Sequence, residues 1–129
     1  MLYGRRQPLS QIRRWLEGQR LHPILVVHGS TGCGKTLAVS TLIKETNLDP
    51  LYLDELDRLR QTISLSRSPT FTGQKRIMVI DGTKQLTKAS WAEISKSMTD
   101  QPFPLVMISD NHNDIDRDIS SRAFSVKID

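Results

Sequence analysis

Eight consecutive residues, Gly29-Ser30-Thr31-Gly32-Cys33-Gly34-Lys35-Thr36, match the phosphate-binding pattern G-x-x-x-x-G-K-[ST] at every fixed position. Glycines at such spacing let the backbone curl until successive N–H groups point at a polyphosphate. Lys35 then reaches the β- and γ-phosphates, and Thr36 offers its hydroxyl to a magnesium ion. An apolar run, Ile24-Leu25-Val26-Val27, enters the loop, and a helix-compatible stretch from Lys35 to Glu45 leaves it. The positive end of that helix, opening on Lys35, Thr36 and Leu37, adds to the pull on an anion. A chance glycine-rich turn would not need this strand-to-helix setting. Gly29 to Leu37 therefore read as a nucleoside triphosphate site.

Phosphoanhydride hydrolysis also needs a metal partner, a positioned water and positive charge on the transition state. The metal partner is expected to be an acidic residue ending a buried strand. Asp81, after Ile77-Met78-Val79-Ile80, satisfies that, and Leu51-Tyr52-Leu53-Asp54-Glu55 competes with it. Asp81 is preferred because its apolar run is longer and because Asp54 follows the loop helix so soon that it should end the neighbouring second strand. Asp54-Glu55 otherwise reads as a strand-end turn and the acidic start of a helix. Directly after Asp81 stands Gly82, which has no side chain to orient a water, and the Thr83 hydroxyl is a poor general base. Binding is left intact, and turnover is not assured. Ser109-Asp110-Asn111 ends another apolar run, where an amide can hold a water or a γ-phosphate oxygen; a plain turn suits the same residues. Arg122 either pairs locally with Asp116 or Asp118 or projects toward a neighbouring subunit's phosphates, and charge and position alone favour the local pair. His22, His28 and His112 have no metal-ligand spacing.

The elements that must position these residues can be read in order. At 129 residues the chain is expected to form one domain, residues 1–129, with a real core. Its 37% hydrophobic and 25% charged content suit a soluble globular chain, and no run reaches the ~20 apolar residues of a membrane helix. No signal-peptide core is present, so an intracellular location, nuclear or cytoplasmic, is expected, without membrane contact. The lone cysteine, Cys33, excludes a disulfide framework or cysteine metal cluster and reads as a small filler in the loop. A net charge of +4 permits nucleic-acid contact without requiring it.

Gln7 to Glu17 reads as a helix, with Pro8 in its first turn, Leu9, Ile12 and Leu16 on one face and Gly18 as its stop. Arg5, Arg6, Arg13, Arg14 and Arg20 make this the most basic segment, read first as a solvated face and second as a nucleic-acid contact. Ile24 to His28 is continuously apolar, as a strand covered on both faces should be. Asn47 and Asp49-Pro50 should end the loop helix, ahead of a strand at Leu51–Leu53 and a charged helix from Asp54 to about Ser64. Ser66 to Gln74 is a loop, and Ile77 to Asp81 is a strand. A helix starts at Thr87 or Ser90, where Ser90-Trp91-Ala92-Glu93 has capping-box spacing and Trp91, Ile94 and Met98 form an apolar stripe. Leu105 to Ile108, a short helix over about Asp114 to Ser121, and a half-exposed edge strand from Ala123 to Ile128 complete the chain. The alternation predicts a three-layer α/β domain of the P-loop NTPase type, with five strands in a mostly parallel sheet. Ligands of such sheets sit at the carboxyl ends of the strands.

This order of motifs resembles the core of the AAA+ ATPases, and within them the clamp loaders of the replication factor C type, closest to large subunits. Leu2-Tyr3-Gly4 before a helix resembles the adenine-side motif, Gly29 to Thr36 the Walker A loop, and Ile77 to Asp81 the Walker B strand. Met107 to Asn111 resembles the sensor-1 strand, with Asn111 as the sensor residue. Ile119-Ser120-Ser121-Arg122-Ala123-Phe124 resembles the Ser-Arg-Cys segment, with Ala123 in place of the cysteine, which makes Arg122 a candidate arginine finger. The resemblance implies ATP and Mg2+ as ligands, other AAA+ subunits as partners in a hetero- or homo-oligomer, and DNA with a sliding clamp as further partners. Two features depart from that pattern: Gly82 stands where a glutamate is usual, and the chain stops at Asp129, before the helical lid.

Three functions fit. The first is an ATP-binding, Mg-dependent ATPase module of a DNA replication or repair assembly. In it Lys35, Asp81, Asn111 and Arg122 carry the catalytic roles, Thr36 and Asp81 hold the metal, and Tyr3 and Gly4 flank the base. The second is a nucleotide-binding interaction module with little hydrolysis of its own, which Gly82 favours. The third is a small-molecule kinase, for which a substrate-binding insertion and an arginine-bearing lid would be expected and neither is evident.

Overall fold

The computed structural model describes residues 2–18, 22–30, 32, 34–68 and 70–128, with side chains described from residue 7 onward. Five helices alternate with five strands: α1 (Leu2–Leu16), β1 (Ile24–His28), α2 (Lys35–Glu45), β2 (Asp49–Tyr52), α3 (Leu59–Ser66), β3 (Arg76–Asp81), α4 (Lys88–Asp100), β4 (Leu105–Ser109), α5 (Arg117–Ser121) and β5 (Ala123–Lys127). All the strand pairings are parallel, in the order β2-β3-β4-β1-β5. The sheet is thus wholly parallel where the sequence pattern indicated mostly parallel.

Period-two alternation explains the layers. On β1, Ile24 and Val26 face one side and Leu25 and Val27 the other, and all four are fully buried. Ile24 and Val26 join Met78, Ile80, Leu105 and Met107 under Ile63 of α3, Ile94 and Met98 of α4, and Ile119 of α5. Leu25 and Val27 join Ile77, Val79, Val106 and Ile108 under Ile12, Trp15 and Leu16 of α1 and Val39, Leu42 and Ile43 of α2. Burying each such aliphatic side chain is worth about 1.5–3 kcal/mol, which is why β1, β3 and β4 must all be apolar on both faces. Trp15, absent from the apolar face read in the sequence, is buried and donates its indole N–H to the His22 carbonyl at 2.9 Å. That bond ties the end of α1 to the entry of β1.

Several element boundaries differ from the sequence reading. Helix α1 begins at Leu2, so Pro8 lies inside it instead of in its first turn. A proline removes one backbone hydrogen bond but does not forbid helix on its amino-terminal side. Asp49 and Pro50, expected to end α2, are the first residues of β2. The stop is Asn47, at φ 57°, whose N–H reaches the Lys44 carbonyl. Pro50 is tolerated because β2 is an edge strand. The stretch from Asp54 divides into a 3-10 turn at Leu56–Arg58 and then α3, which takes in Ser66, and that at Asp114 into a 3-10 turn at His112–Asp114 and then α5. Finally, Thr87 and not Ser90 caps α4: its side chain accepts the Ser90 N–H at 3.2 Å. Glu93, the second half of the expected capping box, pairs with Arg60 instead. Trp91 is half-buried against the α3–α4 core, as the apolar stripe implied.

Thr87→Ala should cost about 1 kcal/mol of stability, whereas Glu93→Gln should cost less than about 1 kcal/mol because its partner is exposed. Urea denaturation midpoints would show the order; equal losses would return the cap to Ser90.

Candidate functional site

The register places four segments on one rim. Parallel pairing sets His28 of β1 against Ser109 of β4 and Lys127 of β5, and Asp81 of β3 against Ile108 of β4. The loop after β1, the residue ending β3 and those following β4 therefore meet at the carboxyl ends of the strands. They line a cleft of about 490 Å³ bounded by Gly32, Gly34, Lys35, Thr36, Asp81 and Asp110 among others.

Within the loop, Gly32 and Gly34 stand at φ 86° and 85°, a region that side chains with a Cβ rarely enter. Gly34 precedes the first turn of α2, which has neither a capping side chain nor an acidic residue. Its leading amides and dipole are left for an anion. Thr31 and Cys33 lie outside the described residues. Lys35 is 7% exposed, and its ammonium donates to the Gly29 carbonyl at 2.8 Å, the Ser30 carbonyl at 3.1 Å and Asp110 Oδ1 at 3.0 Å. An ammonium has three N–H donors, and these contacts occupy all three.

On the other wall, Thr36 Oγ1 donates to Asp81 Oδ2 at 2.9 Å. A hydroxyl beside a carboxylate supplies hard oxygen donors of the kind magnesium takes, with phosphate oxygens and waters completing the shell. No cluster of three or more His, Cys, Asp or Glu that could hold a metal occurs among the described residues. The pair fits a magnesium held jointly with a bound polyphosphate, and does not resemble a zinc or calcium cage. Asp54 and Glu55 are not beside the loop strand. They follow β2, the edge strand separated from β1 by β3 and β4, and Glu55 faces Arg58 at 3.8 Å. The expectation that the second strand neighbours the first is corrected: β3 and β4 both lie between them.

Gly82 does more than lack a side chain. Its φ of 92° turns the chain out of β3 into a 3-10 turn at Thr83–Gln85, while its N–H continues the ladder to the Ile108 carbonyl at 2.9 Å. Thr83 is buried, with its hydroxyl on Ser109 Oγ at 3.2 Å, so it braces β3 against β4 instead of facing the cleft freely. Asn111 turns away: its side-chain oxygen accepts the Asn113 N–H at 2.9 Å and caps the 3-10 turn at His112–Asp114. Asp110 is the residue of that segment that reaches Lys35. It is missing from the set read in the sequence, and its one signal there was its place just after an apolar run. Leu37, 72% exposed, stands at the mouth of the cleft.

Arg122 lies on the opposite rim. Ala123, the residue after it, pairs with Ile24 at the start of β1, so a strand length of about 13 Å separates Arg122 from the loop. Its guanidinium donates to Thr99 Oγ1 at 2.7 Å and stands 3.6 Å from Asp118, the local pair that position and charge favoured. Tyr3 and Gly4 fall in the first turns of α1, where the side chains are outside the described residues.

The family model described as Nephrocystin 3, N-terminal, matches residues 9–64. Replication factor C large subunits of Methanothrix thermoacetophila and Pyrococcus horikoshii are each 23% identical to this chain, over 90% and 95% of its length. The chain spans 28% of the length of either relative. Among solved structures, the Holliday junction branch migration motor RuvB of Thermotoga maritima superposes with a TM-score of 0.68 at 19% identity, covering 95% of this chain and 43% of RuvB. Trip13 from Rhizobiales superposes with a TM-score of 0.67 at 14% identity, covering 96% of this chain and 62% of Trip13. The fold is the three-layer P-loop α/β core that these two structures share, as the alternation of strands and helices implied. No helix among the described residues is long and apolar enough to cross a membrane.

Gly82→Glu should destabilise the fold by about 1–3 kcal/mol, because a side chain is forced into a glycine conformation. A denaturant midpoint equal to that of the parent would mean the turn after β3 relaxes without cost.

Proposed function

We propose that this chain is an ATP-binding module that takes the nucleotide with magnesium and works as a subunit of a clamp-loader-like assembly on DNA. The observation that carries this reading is the buried Lys35 ammonium, held at the centre of the cleft by the Gly29 and Ser30 carbonyls beside the Thr36–Asp81 pair. The loop amides and the start of α2 bind the phosphates, and Lys35 neutralises charge at the β- and γ-positions. Thr36 and Asp81 would hold the magnesium, which when bound polarises the phosphate oxygens. Tyr3 and Gly4 lie on the helix expected to flank the base. Arg122, on the far rim, serves the phosphates of a neighbouring subunit. Likeness to replication factor C large subunits supports the DNA-linked setting and other AAA+ subunits as partners.

A second reading has its own observation. Gly82 provides no carboxylate, and its φ of 92° is one that residues with a side chain rarely adopt. On this reading the module binds ATP as a structural ligand and turns it over little, its nucleotide state governing contacts with partners. ATP turnover with and without primed DNA separates the two.

Lys35→Ala should weaken ATP binding by at least about 10- to 100-fold, the worth of charge-assisted hydrogen bonds to phosphate. Isothermal titration at fixed magnesium would read this directly; parent-like affinity would remove the phosphate-loop assignment.

A further inference from the structure

The cleft contains two carboxylates among its described lining residues, Asp81 and Asp110. Asp81 is engaged with the Thr36 hydroxyl on the metal side. Asp110 directly follows β4, the strand between the loop strand and the Asp81 strand, with its side chain 45% exposed and one oxygen 3.0 Å from Lys35 Nζ. Lys35 is the residue that contacts the β- and γ-phosphates in a phosphate loop of this pattern. A group within hydrogen-bonding reach of that ammonium therefore lies beside the place that the β- and γ-phosphates would take, and half-exposure keeps it open to water.

Its backbone is fixed. Ser109 Oγ accepts the Asn111 N–H at 3.2 Å, donates to the Asn111 carbonyl at 2.8 Å and meets Thr83 Oγ1. The segment carrying Asp110 is thereby braced against both β4 and the turn after β3. Of the three acceptors on Lys35, two are carbonyls of the loop itself, whereas the third, the Asp110 carboxylate, belongs to a side chain.

We propose that Asp110 is the carboxylate that positions the attacking water, and that it rests on Lys35 until a triphosphate takes the lysine. This rests on the ATPase reading given above. In the step it serves, the water oxygen forms a bond to the γ-phosphorus, and the bond from that phosphorus to the β,γ-bridging oxygen breaks. The electron pair of that bond stays with the bridging oxygen of ADP. The water proton passes to Asp110 and from there to the released phosphate, so that ADP and inorganic phosphate leave and the carboxylate is restored. General-base assistance of this kind is worth about 10²–10⁴ in rate.

The two roles of Asp110 give opposite signs. Asp110→Asn keeps the shape but withdraws the charge that competes with phosphate for Lys35. Binding of Mg·ATP and of a non-hydrolysable ATP analogue should tighten a few-fold, while kcat should fall about 100-fold or more. Asp110→Glu should restore part of the rate. Titration calorimetry and single-turnover phosphate release, on the full chain with Lys35→Ala as blank, read the two separately. A variant that turns ATP over at the parent rate overturns this assignment and leaves the ATPase reading standing. Affinity and rate falling together would mean a structural role and overturn it as well. A parent chain that binds ATP without turnover overturns both this assignment and the ATPase reading, leaving nucleotide binding in place.

Discussion

Parallel pairing of β1 with β4, in the register that sets His28 against Ser109, is the constraint on which the rest of the molecule depends. It brings the loop after one strand and the polar turn after another to a common rim, and the amide of Gly29 donates across that junction to the Ser109 carbonyl at 3.3 Å. A slip of one residue would reverse the faces of β1, taking Ile24 and Val26 from beneath α4 and placing them beneath α2. The apolar cost of such a slip is what makes the position of the phosphate loop definite. Chemistry at the rim is thus inherited from packing in the sheet.

The same parallel arrangement separates the functions of the two rims. Every helix returns the chain to the amino end of the next strand, so residues just before a strand and just after one lie on opposite edges. Arg122 and Lys35 are separated for this reason, although both are cations near strand termini. The local Asp118 partner of Arg122 holds the guanidinium at the surface beside α4.

Much of this was legible in the sequence because its signals are of the strongest kinds. Continuous apolar runs for β1, β3 and β4, the fixed spacing of the loop, and the alternation on β5 each have one physical reading. Charge and position favoured a local partner for Arg122, Asp116 or Asp118, and the structure selects Asp118. Pro8 misled because proline marks a preferred helix start without excluding an earlier one. Thr87 and Ser90 could each have capped α4, and the choice was made by the tertiary position of the first turn. At Asp110 and Asn111 the difficulty was of another sort. Alternation ends where a strand ends, so nothing in the residue order says which of two polar neighbours turns inward. That choice was made by Asn113, whose N–H draws the Asn111 side chain into a cap.

The positive φ of Gly82 bears on the history open to this chain. Two of the four glycine codons lie one base change from a glutamate codon, so genetic distance is a small obstacle to an acid at this position. Backbone conformation lengthens that path. A glutamate there would have to hold the positive φ that opens the turn at Thr83–Gln85, a strain of about 1–3 kcal/mol. A carboxylate elsewhere on the rim meets no such backbone demand: Asp110, also on the cleft, has no positive φ.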